Sequence, residues 1–252
     1  MSTSFRGYLP LLITPLLAAL LFAPSASADG AGDSAIKSVE AALNRAKSQF
    51  IEYEVVNKEP GKDEKTLGLK VHIKGDKRLT EFTAPADMKG TKILIESPTQ
   101  MYVYLPAFGK VRRIASHVND QGFMGLAFTP DDLASQTYST AYDAAITSDS
   151  GSEKKFVLTV KTGQTVAYPK IELTVGKEKN LPTEIKYFNA SGTHVKTEVR
   201  SDYSCEGDVC SPRELKMTDH SKGGHWTKMI RKGWKVNQEL NDSLFSKRNL
   251  EK

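Results

Sequence analysis

The feature that most constrains the fold is an alternation of apolar and polar side chains that recurs along most of the chain. It is clearest at residues 67–74, where Leu67, Leu69, Val71 and Ile73 are separated by glycine, lysine or histidine. A period of two residues is typical of a β-strand with one buried face. The same reasoning predicts twelve further strands, at residues 52–57, 78–83, 91–96, 101–105, 110–115, 137–147, 154–162, 168–176, 183–188, 193–201, 213–219 and 225–230.

Short segments rich in turn-forming residues separate these strands. Gly75-Asp76, Pro98-Thr99, Gly151 and Gly192 are examples, and such residues adopt the backbone angles that tight turns require. Because short loops join antiparallel neighbours, the pattern predicts a long, curved antiparallel sheet.

Three helices are predicted beside the sheet. Apolar residues fall at helical spacing from Ile36 to Phe50, which indicates one long amphipathic helix. Thr129 is a suitable N-cap for a short helix over 130–136, with Pro130 at its first position and acidic residues in its first turn. A weak helix is expected over 241–247. The long helix and the short one should cover one face of the sheet.

The first 28 residues are predicted to be a cleavable signal peptide, so that the mature chain begins near Asp29. Arg6 provides the positive start, the apolar run is short and broken by prolines, and small residues precede the cut. A run of roughly 14 residues is shorter than the ~20 that a membrane-spanning helix needs. With no cysteine near the cut to carry acyl chains, we expect residues 29–252 to form a single, unanchored periplasmic domain.

Composition excludes some function classes and favours a disulfide. The formal net charge of +5 is spread along the chain, so it does not indicate nucleic-acid binding. Cys205 and Cys210 enclose a turn-like tetrapeptide in a chain that should enter an oxidising compartment. We expect a local structural disulfide, since a redox pair normally has two intervening residues and a helix at the first cysteine.

No motif for catalysis or metal binding is found. Among five histidines only His220 and His225 lie close in sequence, and a zinc site needs three or four converging ligands. Nucleophile and phosphate-loop motifs are lacking. Asp131 and Asp132 are explained by helix capping. We therefore expect no enzyme activity, no metal and no cofactor.

The remaining feature is an excess of apolar residues in two places. Residues 93–95 and 101–105 are apolar or aromatic on both strand faces, and residues 123–128 are apolar on every side. These residues either line a cavity with a lid or fill a core beneath the helices, and the pattern leaves both possibilities open.

These same segments carry a family resemblance. The sequence KGTKILIESPTQMYVYLPAFGKVRRI at 89–114, with residues 122–125 and 129–133, resembles the outer-membrane lipoprotein-sorting proteins, the LolA-like family. The resemblance implies a strongly curved, incomplete antiparallel β-barrel whose concave, apolar face is covered by the N-terminal helix and a short lid helix. It also implies a LolA-like lipid-binding domain over 29–252, with residues 122–128 and the helix after Thr129 forming the lid.

The function implied by this resemblance is that of a periplasmic carrier, which shields lipoprotein acyl chains or free lipid in an apolar cavity and transfers them between membranes. An inner-membrane lipid exporter and an outer-membrane acceptor are the expected partners, and the protein should be a monomer that binds no nucleic acid. The alternative is a periplasmic sensor or adaptor that uses the same fold to detect lipids or lipoproteins.

Two groups of site residues follow from this interpretation. The expected lipid-binding residues are Leu69, Val71, Ile73, Leu94, Met101, Val103, Leu105, Phe123, Met124, Leu126, Phe128 and Leu133. Arg78, Arg112 and Arg113 are expected to contact a head group or a partner, the last two because they lie where the family has paired arginines. Arg78 is also the nearest candidate for the single arginine that helps to hold the lid shut in such carriers.

Overall fold

The computed structural model describes Met1 and residues 30–97, 100–114, 123–129, 132–133 and 137–252. The predicted signal peptide, Met1 apart, therefore lies outside the described residues, as do most residues of the predicted lid helix over 130–136. No helix in the described part of the chain is long and apolar enough to cross a membrane.

Thirteen β-strands form one sheet, and each coincides with a strand predicted from the alternation. They are β1 Ser48–Lys58, β2 Lys65–Lys74, β3 Lys77–Ala84, β4 Lys92–Ser97, β5 Gln100–Leu105, β6 Lys110–Ile114, β7 Tyr142–Ser150, β8 Glu153–Val160, β9 Lys170–Gly176, β10 Leu181–Phe188, β11 His194–Glu206, β12 Val209–Asp219 and β13 His225–Val236. Strands β11 to β13 are longer than predicted, because polar residues such as Arg231 and Lys235 continue the pairing where the apolar alternation has ended.

The strand order is β6-β5-β4-β3-β2-β1-β13-β12-β11-β10-β9-β8-β7, and all neighbours are antiparallel. From β1 the chain meanders outward to one edge at β6, crosses to the other edge at β7 and meanders back to β13. Pairing of β1 with β13 then joins the two halves, while β6 and β7 remain as edges of an incomplete barrel.

The position of two arginines shows that the sheet is strongly curved. Arg78 lies on β3 and Arg200 on β11, five strand spacings apart, which would be about 24 Å in a flat sheet. Both side chains nevertheless line the same cavity. The sheet therefore bends round so that its two halves face each other, as predicted.

The concave face carries the main core. Side chains from nearly every strand join one buried cluster there, from Phe82 on β3 to Phe156 on β8, and Ile36 and Val39 of the first helix pack into it. We call the described residues 123–129 and 132–133 the lid segment; its Leu126, Ala127 and Phe128 belong to the same cluster. The N-terminal helix and the lid segment thus cover the concave face.

The first helix is shorter and begins earlier than predicted. Helix α1 spans Gly30–Leu43, and Phe50, predicted to be helical, lies in β1. The helical spacing of Ala46 and Phe50 was misleading, because this strand is held between β2 and β13 and its pairing outweighs the local helical pattern. A second short helix, α2 Tyr138–Ala141, occupies the start of a predicted strand.

The convex face has a small core of its own. Leu79, Leu94 and Tyr102 pack there against Phe245 and Leu250 of the C-terminal segment. That segment forms a 3-10 helix at Asp242–Phe245 and helix α3 at Lys247–Leu250, where a single helix over 241–247 was expected.

Candidate functional site

A cavity of about 290 Å³ lies between the concave face, the lid segment and the end of α1. One wall is apolar and comes from strands β1 to β3, with Phe128 and Leu133 of the lid segment opposite. The rim is formed by the residues after α1, the β2–β3 turn and the β11–β12 hairpin. The arrangement is an apolar pocket with a few polar groups, as small-molecule sites generally are.

The predicted lipid-binding residues are divided by the structure into three groups. Those that line the cavity are Leu69, Val71, Ile73, Leu126, Phe128 and Leu133. Val103 and Met124 pack against the main core without lining the cavity, and Met101 is buried on β5 but does not line the cavity either. The side chain of Phe123 lies outside the described part of the structure.

Leu94 and Leu105 are placed elsewhere. Leu94 is fully buried on the convex face, because β4 is apolar on both faces and alternate residues point to opposite sides of a strand. Leu105 is half-buried where β5 ends, before the 3-10 helix Pro106–Phe108, and lines no part of the cavity. Neither of these two residues therefore lines the cavity.

The three predicted arginines also occupy different places. Arg78 lines the cavity. Arg112 lies on edge strand β6 and is exposed, with its guanidinium 5.4 Å from the centre of the Phe108 ring. Arg113 borders a shallow groove on the convex face beside Lys247 and Tyr102. Of the three predicted arginines, Arg78 alone is therefore positioned to contact a molecule in the cavity.

A reciprocal cap starts a helical turn in the lid segment, as predicted for Thr129. The Thr129 backbone N–H donates to Asp132 Oδ2 at 2.7 Å, and the Asp132 N–H donates to Thr129 Oγ1 at 3.3 Å. Leu133 N–H then donates to the Thr129 carbonyl at 3.3 Å. Asp132 therefore has the capping role expected from the sequence.

Asp132 also joins the lid segment to the sheet. Its Oδ2 accepts a hydrogen bond from Lys196 Nζ at 2.6 Å, and its Oδ1 accepts one from the Tyr168 hydroxyl at 2.9 Å. The Lys196 and Asp132 side chains are 6% and 0% exposed. This is a buried ion pair, in which each charge depends on the other because neither is solvated by water.

A second polar contact holds the other end of the lid segment. Asn57 Nδ2 donates to the Gly125 carbonyl at 2.9 Å, and Thr227 Oγ1 accepts from the Ala127 N–H at 2.7 Å. The two side chains are joined, since the Thr227 hydroxyl donates to Asn57 Oδ1 at 2.6 Å. His225 Nε2 lies 3.0 Å from the same oxygen.

A buried pair of charges stands on the cavity wall. Arg200 Nε donates to Glu198 Oε1 at 2.7 Å, and the Tyr187 hydroxyl donates to Glu198 Oε2 at 2.9 Å. Burial disfavours the charged guanidinium, but the Glu198 carboxylate together with Tyr203 and Tyr138 outweighs this effect, so the pKa of Arg200 is raised. The wall is therefore locally neutral at this point.

The inward-facing polar residues were missed by sequence reasoning. Asn57 continues the inward series of Ile51, Tyr53 and Val55, and Thr227 precedes Met229 in the same way. A polar residue at an inward position of an apolar strand is the signal that would have found them, because such a group needs a hydrogen-bond partner across the core.

The predicted disulfide is confirmed. Cys205 and Cys210 are bonded, and they are directly opposite one another in the β11–β12 pairing. Cys210 lines the cavity, so the bridge lies at its rim. The two histidines that were considered together make separate contacts, His220 with Thr197 and His225 with Asn57. No group of three or more metal-binding side chains occurs among the described residues.

Comparison with known structures identifies the fold. A DUF1329 family protein from Desulfovibrio piger superposes with a TM-score of 0.80 at 22% identity, covering 87% of this chain and 98% of that one. A Vibrio parahaemolyticus domain provisionally named as an outer membrane lipoprotein-sorting protein gives 0.77 at 23% identity, covering 88% and 99%. A LolA superfamily protein from Nitrosomonas europaea gives 0.70 at 19% identity, covering 86% and 98%.

Sequence comparison adds the family assignment. No curated protein matches the chain at a significant level. A family model with the description "-like: Uncharacterized protein" matches residues 74–252, which is more than half of the chain. The chain therefore belongs to that family, and its fold is that of the LolA-like proteins, as the resemblance in residues 89–133 implied.

Proposed function

We propose that this protein is a periplasmic carrier that shields lipoprotein acyl chains or free lipid in its cavity and transfers them between membranes. The observation that carries the proposal is the apolar cavity beneath a lid segment that is fastened by polar contacts to β1, β11 and β13. Burial of an acyl chain in such a cavity is favourable by about 0.8 kcal/mol per methylene. No covalent step is required, and we propose no enzymatic one.

The proposed transfer runs from the inner membrane to the outer membrane. An inner-membrane exporter is the proposed source of the cargo, and an outer-membrane acceptor that binds the chains more strongly is the proposed destination.

At about 290 Å³ the cavity lies at the small end of ligand sites, which typically measure ~300–1,000 Å³. Cargo with more than one long chain therefore requires the lid segment to move outward.

Native mass spectrometry of protein purified from its own periplasm tests the proposal directly. We expect co-purifying lipid, and uptake of a fluorescent lipid by the delipidated protein. A clean mass without lipid, together with no uptake, would contradict a carrier function.

A variant that fills the cavity gives a second test. Val71 lines the cavity and is buried, so Val71→Phe should occupy space that the lipid needs and should greatly reduce uptake. Val199→Phe is the matched control, because Val199 is 41% exposed on the convex side of β11. Thermal unfolding of both variants shows whether the sheet is intact. Undiminished uptake by Val71→Phe would place the lipid elsewhere.

A further inference from the structure

The charged side chains that line the cavity differ in whether they have an ion-pair partner. Glu198 forms an ion pair with Arg200, and Asp132 forms one with Lys196. Asp76 is exposed to solvent in the turn at the rim. Arg78 is different: within the described ranges, no carboxylate lies within ion-pair distance of its guanidinium and no hydrogen bond is formed by it. A cation therefore faces an apolar cavity without a counter-ion.

The surroundings of Arg78 make this costly for the empty protein. Arg78 is half-buried on the cavity wall, and this burial lowers the pKa of its guanidinium. Arginine nevertheless stays protonated in proteins, since its reference pKa is above about 12. A charge that is held partly out of water without an ion-pair partner costs stability, and a bound anion would recover that cost.

Tyr53 supplies a neighbouring donor. Tyr53 lines the cavity, and its hydroxyl forms no hydrogen bond with any described residue. Burial raises the pKa of Tyr53, and Arg78 exerts the largest of the electrostatic effects that oppose this rise. The phenol therefore remains an O–H group, and it lines the same cavity as the Arg78 guanidinium. The guanidinium N–H groups of Arg78 and the phenol O–H of Tyr53 can all donate hydrogen bonds. A carboxylate or phosphate group can accept several such bonds at once.

We infer that the cargo is an amphiphile with an acidic head group, a carboxylate or a phosphate, which enters the cavity and pairs with Arg78 and Tyr53. The chain of the lipid then lies along the apolar wall formed by Leu69, Val71 and Phe128. This inference rests on the proposed carrier function and adds the chemical class of the cargo. The cavity volume favours a single-chain acid such as a long-chain fatty acid.

A ligand panel on the unmodified protein tests the inference without any substitution. Titration calorimetry compares hexadecanoate, hexadecyl phosphate and hexadecanol, which share one chain and differ in the head group. We expect the two acids to bind about ten- to hundredfold more tightly than the alcohol. Equal binding of all three overturns the acid site but leaves the carrier function standing, whereas binding of none contradicts the carrier function itself.

Inorganic phosphate alone separates a lipid site from a free-anion site. We expect no measurable binding, because most of the affinity should come from burial of the chain. Tight binding of inorganic phosphate would overturn the inference. If hexadecyl phosphate alone binds tightly the acid is a phosphate, and if hexadecanoate alone does so it is a carboxylate; either result supports an acid site.

Arg78→Met then locates the site. It removes the charge and keeps an unbranched apolar chain in place of the arginine stem, so hexadecanoate affinity should fall about ten- to hundredfold while hexadecanol affinity stays within about twofold. The melting temperature should not fall, since a half-buried charge without an ion-pair partner has been removed. Tyr53→Phe should weaken the acid only, and Arg112→Met, at an exposed arginine on the edge strand, should change neither ligand. Unchanged hexadecanoate binding in Arg78→Met, or an equal loss for both ligands, would overturn the inference.

Discussion

Lys196 of β11 and Asp132 of the lid segment form a buried ion pair whose Nζ and Oδ2 atoms are 2.6 Å apart. The pair joins the segment that crosses the sheet to the strand beneath it. The Tyr168 hydroxyl donates a hydrogen bond to Asp132 Oδ1, and the Thr129 backbone N–H donates one to Asp132 Oδ2. Within the described residues, these contacts and those of Asn57 and Thr227 hold the lid segment, and Arg78 forms no hydrogen bond to it.

Removal of one member of this pair should therefore be costly. Asp132→Asn leaves the Lys196 ammonium buried without a counter-charge, and we expect a loss of about 3–5 kcal/mol in the free energy of unfolding. Urea unfolding measures this loss. In the double variant with Lys196→Met most of the loss should be recovered, because no unpaired charge remains.

An exposed ion pair provides the control for this prediction. Lys232 and Glu54 lie 3.2 Å apart with side chains 53% and 43% exposed. Glu54→Gln should cost less than about 1 kcal/mol, because water solvates both groups. A similar cost for Asp132→Asn and Glu54→Gln would mean that the buried pair does not fasten the lid segment.

Substitutions in the convex core and in the cavity wall should affect lipid binding differently. Leu94 is fully buried in the convex core, so Leu94→Ala should lower the free energy of unfolding by about 2–5 kcal/mol. Lipid affinity should not change, because Leu94 is remote from the cavity. Leu69→Ala in the cavity wall should alter lipid affinity as well as stability. Calorimetric melting and lipid titration on the same samples distinguish these cases.

The disulfide at the rim should make a modest contribution. Cys205 and Cys210 close a very short loop, for which the chain-entropy model gives about 2 kcal/mol. For a domain of this size, that loss corresponds to a fall of about 4–8 °C in Tm. The double variant Cys205→Ser with Cys210→Ser should show this fall in scanning calorimetry. The unmodified protein should show the same fall on reduction, and the variant should be insensitive to reductant.

Four buried or half-buried tyrosines predict a loss of stability in alkaline solution. Burial raises the pKa of Tyr53, Tyr138, Tyr187 and Tyr203, that of Tyr203 to about 12, from a usual value near 10. The folded protein then holds these protons more tightly than the unfolded chain does. Stability is therefore fully present below about pH 10 and declines as the pH rises through 10 and beyond.

Urea unfolding at about pH 9 and about pH 11 checks this prediction. The urea midpoint should be lower at the higher pH, and Tyr203→Phe should reduce the difference because one of the titrating groups is lost. A midpoint that does not depend on pH over this range would contradict the assignment of these phenols as buried.

Much of the fold was determined by the sequence alone. Alternate residues of a strand point to opposite faces, so the series Leu67, Leu69, Val71 and Ile73 had to share one face wherever the strand lay. Turn residues at short intervals made antiparallel neighbours the expected arrangement. The capping of Thr129 and Asp132 was also local, because a capping box needs only a spacing of three residues.

Only the tertiary structure decided which face of several strands is inside. On β11 the charged residues Lys196, Glu198 and Arg200 point inward while Val199 is exposed, which is the reverse of the usual arrangement. The reason lies in partners distant in sequence: Asp132 neutralises Lys196, and Tyr187 completes the hydrogen bonds of Glu198.

The same holds for β4 and for the cavity. Leu94 and Ile93 are equally apolar, and their separation into two cores depends on the C-terminal segment that packs against the convex face. Arg78 is one of many basic residues in the sequence. Its place on a cavity wall without a counter-ion depends on the curvature that brings β3 and β11 together. No local sequence pattern could predict this, because the two strands are far apart in the sequence.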